Sequence, residues 1–158
     1  MKVNGMVRLK VARDQVWEAL NNPEVLRRCT PGCKEMIPDG EDSYQVRMEV
    51  GVGSVKGRYK GTIKINDRVP GQQYKLTVTG TGSAGFVNAE GLVLLTDQAE
   101  GTMIEYSGQA HVGGPVAGVG QRVIEGVAKF LVEQFFKCVE TAILQSQAGD
   151  HAGSDRRL

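Results

Sequence analysis

The stretch that most constrains this chain is its last long segment, Gly114 to about Gln147, which reads as one amphipathic helix of roughly nine turns. Gly113-Gly114 interrupt what precedes it, and Pro115 supplies a pre-set φ at a first helical position, where its missing N–H costs nothing. Val116, Gly120, Val123, Ile124, Val127, Leu131, Phe135, Cys138 and Ala142 recur at three- and four-residue steps, which gathers them on one face that must be buried. Gln121, Glu125, Lys129, Glu133 and Lys137 follow at i, i+4 as a solvated face. In the second half Val132, Phe136, Val139 and Ile143 form another apolar stripe, so this half needs a second partner, for which the short helices carrying Trp17, Leu20 and Leu26 are available. Gln134 falls beside the first stripe, where a buried amide requires hydrogen bonds from backbone, water or a ligand.

A helix of this length needs a surface to lie on, and the middle of the chain supplies one. Val3, Gly5, Val7 and Leu9 alternate with polar residues as a half-buried strand does, and two short helices follow, opened by Arg13 or Asp14 and by Pro23. Period-two runs around Tyr44 to Val50, Tyr59 to Ile65, Tyr74 to Val78 and Ile104 to Val112 are then separated by turn residues at Asp39-Gly40, Gly51-Val52-Gly53, Pro70-Gly71 and Glu100-Gly101. Gly91 to Leu95 is apolar on both phases. The expected fold is α+β: a curved antiparallel sheet of about seven strands wrapped around one long C-terminal helix, with two short helices after the first strand. Residues 1–147 make one domain, and the small, polar, charged stretch 148–158 is expected to be a disordered tail.

Composition narrows the function. Lys plus Arg number 19 against 18 Asp plus Glu, so no general electrostatic attraction to nucleic acid exists. No apolar run approaches the ~20 residues of a membrane span, and the first residues lack a signal-peptide core, which points to the cytoplasm. Three cysteines in that compartment argue for free thiols. Glycine occupies 21 of 158 positions, and glycines spread through strands suggest a sheet that bends sharply or leaves interior space.

The order β-α-α-β6-α resembles the START-like, Bet v1-type helix-grip superfamily, whose members enclose a cavity for an apolar ligand. Within it, Cys29-Thr30-Pro31-Gly32-Cys33, Gly51-Val52-Gly53-Ser54-Val55-Lys56-Gly57, Gly85-Phe86-Val87-Asn88-Ala89-Glu90-Gly91, Gly101-Thr102, Gly113-Gly114-Pro115-Val116-Ala117-Gly118-Val119-Gly120-Gln121-Arg122 and Phe135-Phe136 resemble the carbon monoxide dehydrogenase G-subunit (CoxG-like) family over about residues 1–145. The resemblance implies an accessory protein to a molybdenum hydroxylase of the carbon monoxide dehydrogenase type, recruiting it to the membrane or delivering a lipophilic electron acceptor such as a quinone. The expected protein is cytoplasmic, peripheral at the inner face of the membrane through transient surface contact, and free of nucleic acid; dimerisation stays open.

The expected ligand is an apolar small molecule, a quinone or fatty acid, with no covalent cofactor. From the meander it would meet Met48, Tyr59, Ile63, Leu76, Val78, Phe86 and Tyr106; from the helix it would meet Val123, Val127, Phe130, Leu131 and Gln134. Catalysis is not expected, since His151 lies in the tail and His111 on the polar phase of its strand. A cavity-facing Asn88 and Glu90 would reopen a cyclase- or hydrolase-like reading, and the second helix stripe would suit a pure interaction module. Cys29 and Cys33 lack the second ligand pair of a zinc site, so no metal is expected, although a redox or copper-handling role stays open. Lys56, Arg58, Lys60 and Lys64, with Arg8, Arg47 and Lys75, would form a basic outer face that either protects the sheet or docks on anionic headgroups or an acidic partner.

Overall fold

Alternation in the first strand, β1 (Lys2–Leu9), turns Val7 and Leu9 into the core and Lys2, Asn4 and Arg8 to solvent. The computed structural model describes residues 1–52 and 55–157, with side chains for 1–51 and 55–147. Helix α1 (Arg13–Leu20) begins where the Gln15 side chain accepts from the Ala12 N–H at 3.2 Å, and buries Val16, Ala19 and Leu20. In α2 (Pro23–Cys29), Asn22 caps the N-terminus by accepting from Glu24 N at 3.0 Å, ahead of a proline whose absent N–H needs no partner.

The meander follows as β2 (Cys33–Pro38), β3 (Ser43–Val52), β4 (Val55–Val69), β5 (Gln73–Gly82), β6 (Gly85–Gln98) and β7 (Gly101–Gly113). All pairings are antiparallel, in the order β1-β7-β6-β5-β4-β3-β2, so β1 closes onto the last strand. β4, β6 and β7 span 15, 14 and 13 residues, and the ladder shifts register between Asn66 and Val69, where Asp67 takes φ 49°. Such an irregularity increases local twist and helps the sheet curl.

The C-terminal helix departs from expectation at both ends. Pro115 begins only a short 3₁₀ turn (Pro115–Val119); Gly120, at φ 100° and ψ 147°, breaks it, and α3 runs from Gln121 to Arg157. Once nucleated, a helix propagates at little cost, and α3 continues as helix through the segment expected as a disordered tail; side chains beyond Gln147 lie outside the described residues.

The two halves of α3 have different surroundings. Its backbone comes close to β1, α1 and α2, and much less to the middle strands. Phe136, Val139 and Ile143 are buried in one cluster with Val16, Leu20, Leu26, Leu9 and Ile104, so the short helices absorb the second apolar stripe as expected. The Thr102 hydroxyl donates to Val11 O at 2.8 Å inside this packed end.

A disulfide joins Cys29 at the end of α2 to Cys138 on α3, across a Cα–Cα distance of 5.3 Å. This corrects the expectation of free thiols for two of the three cysteines; Cys33 alone is free and half-buried. An odd count in a chain read as cytoplasmic gave no pairing, because the bridge depends on α2 folding back onto the middle of α3. Cys29 is therefore a structural cysteine bonded to α3, and it does not act as a thiol partner of Cys33.

Tyr74, 5% exposed, meets Trp17 edge-on at 6.0 Å between ring centroids. Burial holds its phenol well above the usual tyrosine range, and the positive charge of Arg68 offsets this only in part. An acid whose folded pKa is raised stabilises the fold fully below its unfolded pKa of ~10 and loses that contribution as pH rises towards the folded value. Denaturant midpoints should therefore hold up to ~pH 10 and fall progressively above it, and Tyr74→Phe should flatten the decline.

Candidate functional site

Where the first half of α3 stands off the sheet, the concave face encloses two adjoining chambers of about 410 Å³ and about 230 Å³. The larger is walled by Leu76, Tyr106 and Phe135 and closed at one side by Leu26, Thr30 and Pro31 from the end of α2. The smaller is walled by Tyr59, Val116 and Val127. Met48, Ile63, Val78, Ile124, Ala128 and Leu131 line both, so the two form one elongated hollow. A volume of this order is that of a small-molecule site.

Glycine makes the room. Tyr106 leans over Gly5, its register partner on β1, where a Cβ would come within 2.3 Å of the tyrosine oxygen. Its ring also stacks on Phe136 at 6.4 Å. In the smaller chamber the Tyr59 ring lies against Gly82 and reaches towards Gly57. The Oη atoms of Tyr59 and Tyr106 are buried, and neither has a hydrogen-bond partner among the described residues. Burial, and then the nearby negative charge of Glu133, raises the Tyr106 pKa, so this phenol stays a neutral donor.

Eight of the twelve residues expected at a ligand turn into these chambers: Met48, Tyr59, Ile63, Leu76, Val78, Tyr106, Val127 and Leu131; Phe86 borders the smaller one from the outer phase of β6, 37% exposed with its ring against His111. The structure leaves three outside. Val123 is 43% exposed, Phe130 is 48% exposed and Gln134 is exposed. One residue turns a helix by ~100°, and the face towards the hollow is centred on Ile124, Leu131 and Phe135; Val123, Phe130 and Gln134 each precede one of these and point off to one side. The buried amide expected at Gln134 is thus corrected. Ala128, Val112 and the α2 residues were missed: Ala128 is too small to mark a face, and α2 shows no sign in sequence of folding over the sheet.

The remaining polar candidates face outward. Asn88, Glu90 and His111 are all exposed, with Asn88 opposite His111 in the β6–β7 ladder, which removes the basis of the acid–base reading. No cluster of three metal-ligating side chains occurs among the described residues. Lys56, Arg58, Lys60 and Lys64 are exposed along β4 and Arg47 opposes Lys60, while Arg47 also pairs with Glu35 at 3.4 Å and Lys75 with Asp67 at 3.6 Å. Arg8, on β1 at the far side of the sheet order, is separate from this group.

A seven-stranded antiparallel sheet closed over one long helix, with an apolar hollow between them, is the helix-grip arrangement. Residues 5–144 match the family of the carbon monoxide dehydrogenase G-subunit (CoxG). The chain belongs to the CoxG family. A conserved protein from Geobacillus kaustophilus is similar at 42% identity, with 92% of this chain and 97% of that one aligned at a TM-score of 0.89. Two more distant structures show the fold alone. A Thermus thermophilus protein is 14% identical over 92% of this chain and 99% of its own, at a TM-score of 0.69. The Bet v1-like Ara h 8.0201 is 18% identical over 92% and 98%, at 0.65. Among curated proteins no sequence matches this CoxG-family chain. No helix among its described residues is long and apolar enough to cross a membrane.

Proposed function

We propose that this CoxG-family protein carries an apolar small molecule, a quinone or a lipid-like compound, between its sheet and α3, as an accessory to a molybdenum hydroxylase of the carbon monoxide dehydrogenase type. The observation that supports this reading is the hollow itself: two adjoining chambers lined almost wholly by apolar side chains in a domain otherwise able to close its core, as its second half does. Burying a lipophile there stabilises by roughly 25 cal/mol per Å² of apolar area removed from water, less the cost of immobilising it. Delivery of an electron acceptor needs only reversible binding, and membrane recruitment needs only a surface; the exposed cations of β4 suit transient contact with anionic headgroups at the inner face of the membrane. The interaction-module reading loses its patch, because Phe136, Val139 and Ile143 are covered within the chain.

Organic extraction of purified protein, followed by titration of menaquinone, ubiquinone and palmitate into the stripped form, tests the carrier function. We expect co-extracted lipophile and a melting temperature that rises with ligand in excess of Kd. An extract free of lipid, together with a melting temperature that no ligand moves, would remove the carrier reading.

A further inference from the structure

We propose that the Cys29–Cys138 bridge is a redox latch on the hollow: closed, it holds the end of α2 across the larger chamber, and its reduction by a dithiol frees that segment to swing aside and let an apolar molecule in or out. This rests on the carrier reading and adds a control over when the cavity can be filled.

Among the described residues that line the larger chamber, Leu26, Thr30 and Pro31 are the removable part of the wall. The others stand on α3, on a strand of the hydrogen-bonded sheet or, as Met1 does, beside β1. With seven residues, α2 is too short to hold its place as an isolated helix. The chain is tied down on either side of it: Arg68 Nε donates to Asn21 Oδ1 at 2.7 Å just before, and Glu49 N donates to Gly32 O at 2.8 Å just after. Between these ties the Thr30 N–H and hydroxyl both donate to Leu26 O, so the lining residues move as one piece with Cys29. That piece is held against α3 by the apolar packing of Leu26, the exposed hydrogen bond from Arg28 to Gln145, and the disulfide. Cys138 follows Leu131 by two turns, in line with the face of α3 that borders the hollow.

The two sulfurs differ in access. Cys29 is 3% exposed, whereas Cys138 is half-buried and can be reached by a thiolate without unfolding. One thiolate of the reductant bonds to Cys138 Sγ, and the Cys29–Cys138 bond breaks with its electron pair leaving on Cys29 Sγ, which takes up a proton. The second thiolate of the reductant then attacks its own bridged sulfur, closing the reductant's disulfide and releasing Cys138, which is protonated in turn. Two electrons and two protons have passed to the protein, and a disulfide of the same class returns them by the reverse exchange.

The test reads entry rather than affinity. Oxidised wild type, the same protein reduced with dithiothreitol, and Cys29→Ser/Cys138→Ser are each mixed rapidly with N-phenyl-1-naphthylamine, a neutral apolar dye whose emission rises on leaving water, and amide exchange is followed over α1 and α2. Both bridge-free forms should take up the dye about 10-fold faster than the oxidised form and exchange their α2 amides about 10-fold faster, with α1 little changed. Reoxidation should restore slow entry. Should the double variant fail to fold, oxidised and reduced wild type still decide the question. Equal entry rates with the bridge closed and open, or α1 amides speeding up as much as those of α2, would overturn the latch and leave the carrier function standing. If the dye enters neither form, the latch and the carrier reading fall together.

Discussion

Reducing the Cys29–Cys138 bridge, or replacing both cysteines by serine, is expected to lower the unfolding free energy by about 5 kcal/mol. The bridge closes a loop with a sequence separation of 109, and the chain entropy it removes from the unfolded state grows with loop length. In a chain of this size that corresponds to a melting temperature lower by ~10–20 °C. The effect should reach the ligand as well. Leu26, Thr30 and Pro31, around Cys29, close one side of the larger chamber, and the other polar tie described between α2 and α3 is the exposed hydrogen bond from Arg28 to Gln145. Cys33→Ser should change little, because its half-buried thiol makes no bridge and donates one weak hydrogen bond, to Glu35 O at 3.4 Å, that a serine hydroxyl can replace. Thiol counting should give one reactive cysteine in the unfolded oxidised protein and three after reduction. A denaturant midpoint unmoved by reductant would show that the bridge does not hold α2 in place.

What the sequence could reveal here depended on how local the cause was. Strict alternation in β1, β3, β4, β5 and β7, with glycine-marked turns, is a short-range pattern, and the antiparallel meander and its wrapping around a C-terminal helix followed from it. The split of the C-terminal segment at Gly120 was invisible to periodicity, since Val116 and Ile124 remain in phase across the break while the backbone at Gly120 leaves the helical region. At the site, strand residues were placed better than helix residues. A period of two leaves each strand residue only two directions, and six of the seven residues named on the meander turn into the hollow, Phe86 lying on the outer phase of β6; on the helix a neighbour is only ~100° away, and Val123, Phe130 and Gln134 fell past the edge. The disulfide and the contribution of α2 needed the tertiary fold, because no local signal links residue 29 to residue 138.

Filling the hollow from the helix should abolish ligand binding without harming the fold, and Ala128→Phe is the substitution that does it. Ala128 lines both chambers, so a phenyl ring there enters the space that joins them and displaces ligand from the junction. Excluding about 100 Å² of apolar contact removes ~2.5 kcal/mol, or close to 100-fold in affinity. The variant itself should be as stable as wild type or more so, because the added ring buries its surface in a void. Four turns along the same helix the same change should do the opposite. Ala142 is 9% exposed within the packed end of the domain, beside Val139 and Ile143, and forcing a ring into filled space there costs about 1–3 kcal/mol. Denaturant midpoints and quinone titrations on the two variants therefore separate two claims. If Ala128→Phe destabilises as much as Ala142→Phe, the first half of α3 does not border a hollow; if it folds well and still binds the quinone with unchanged affinity, the ligand lies elsewhere on the protein.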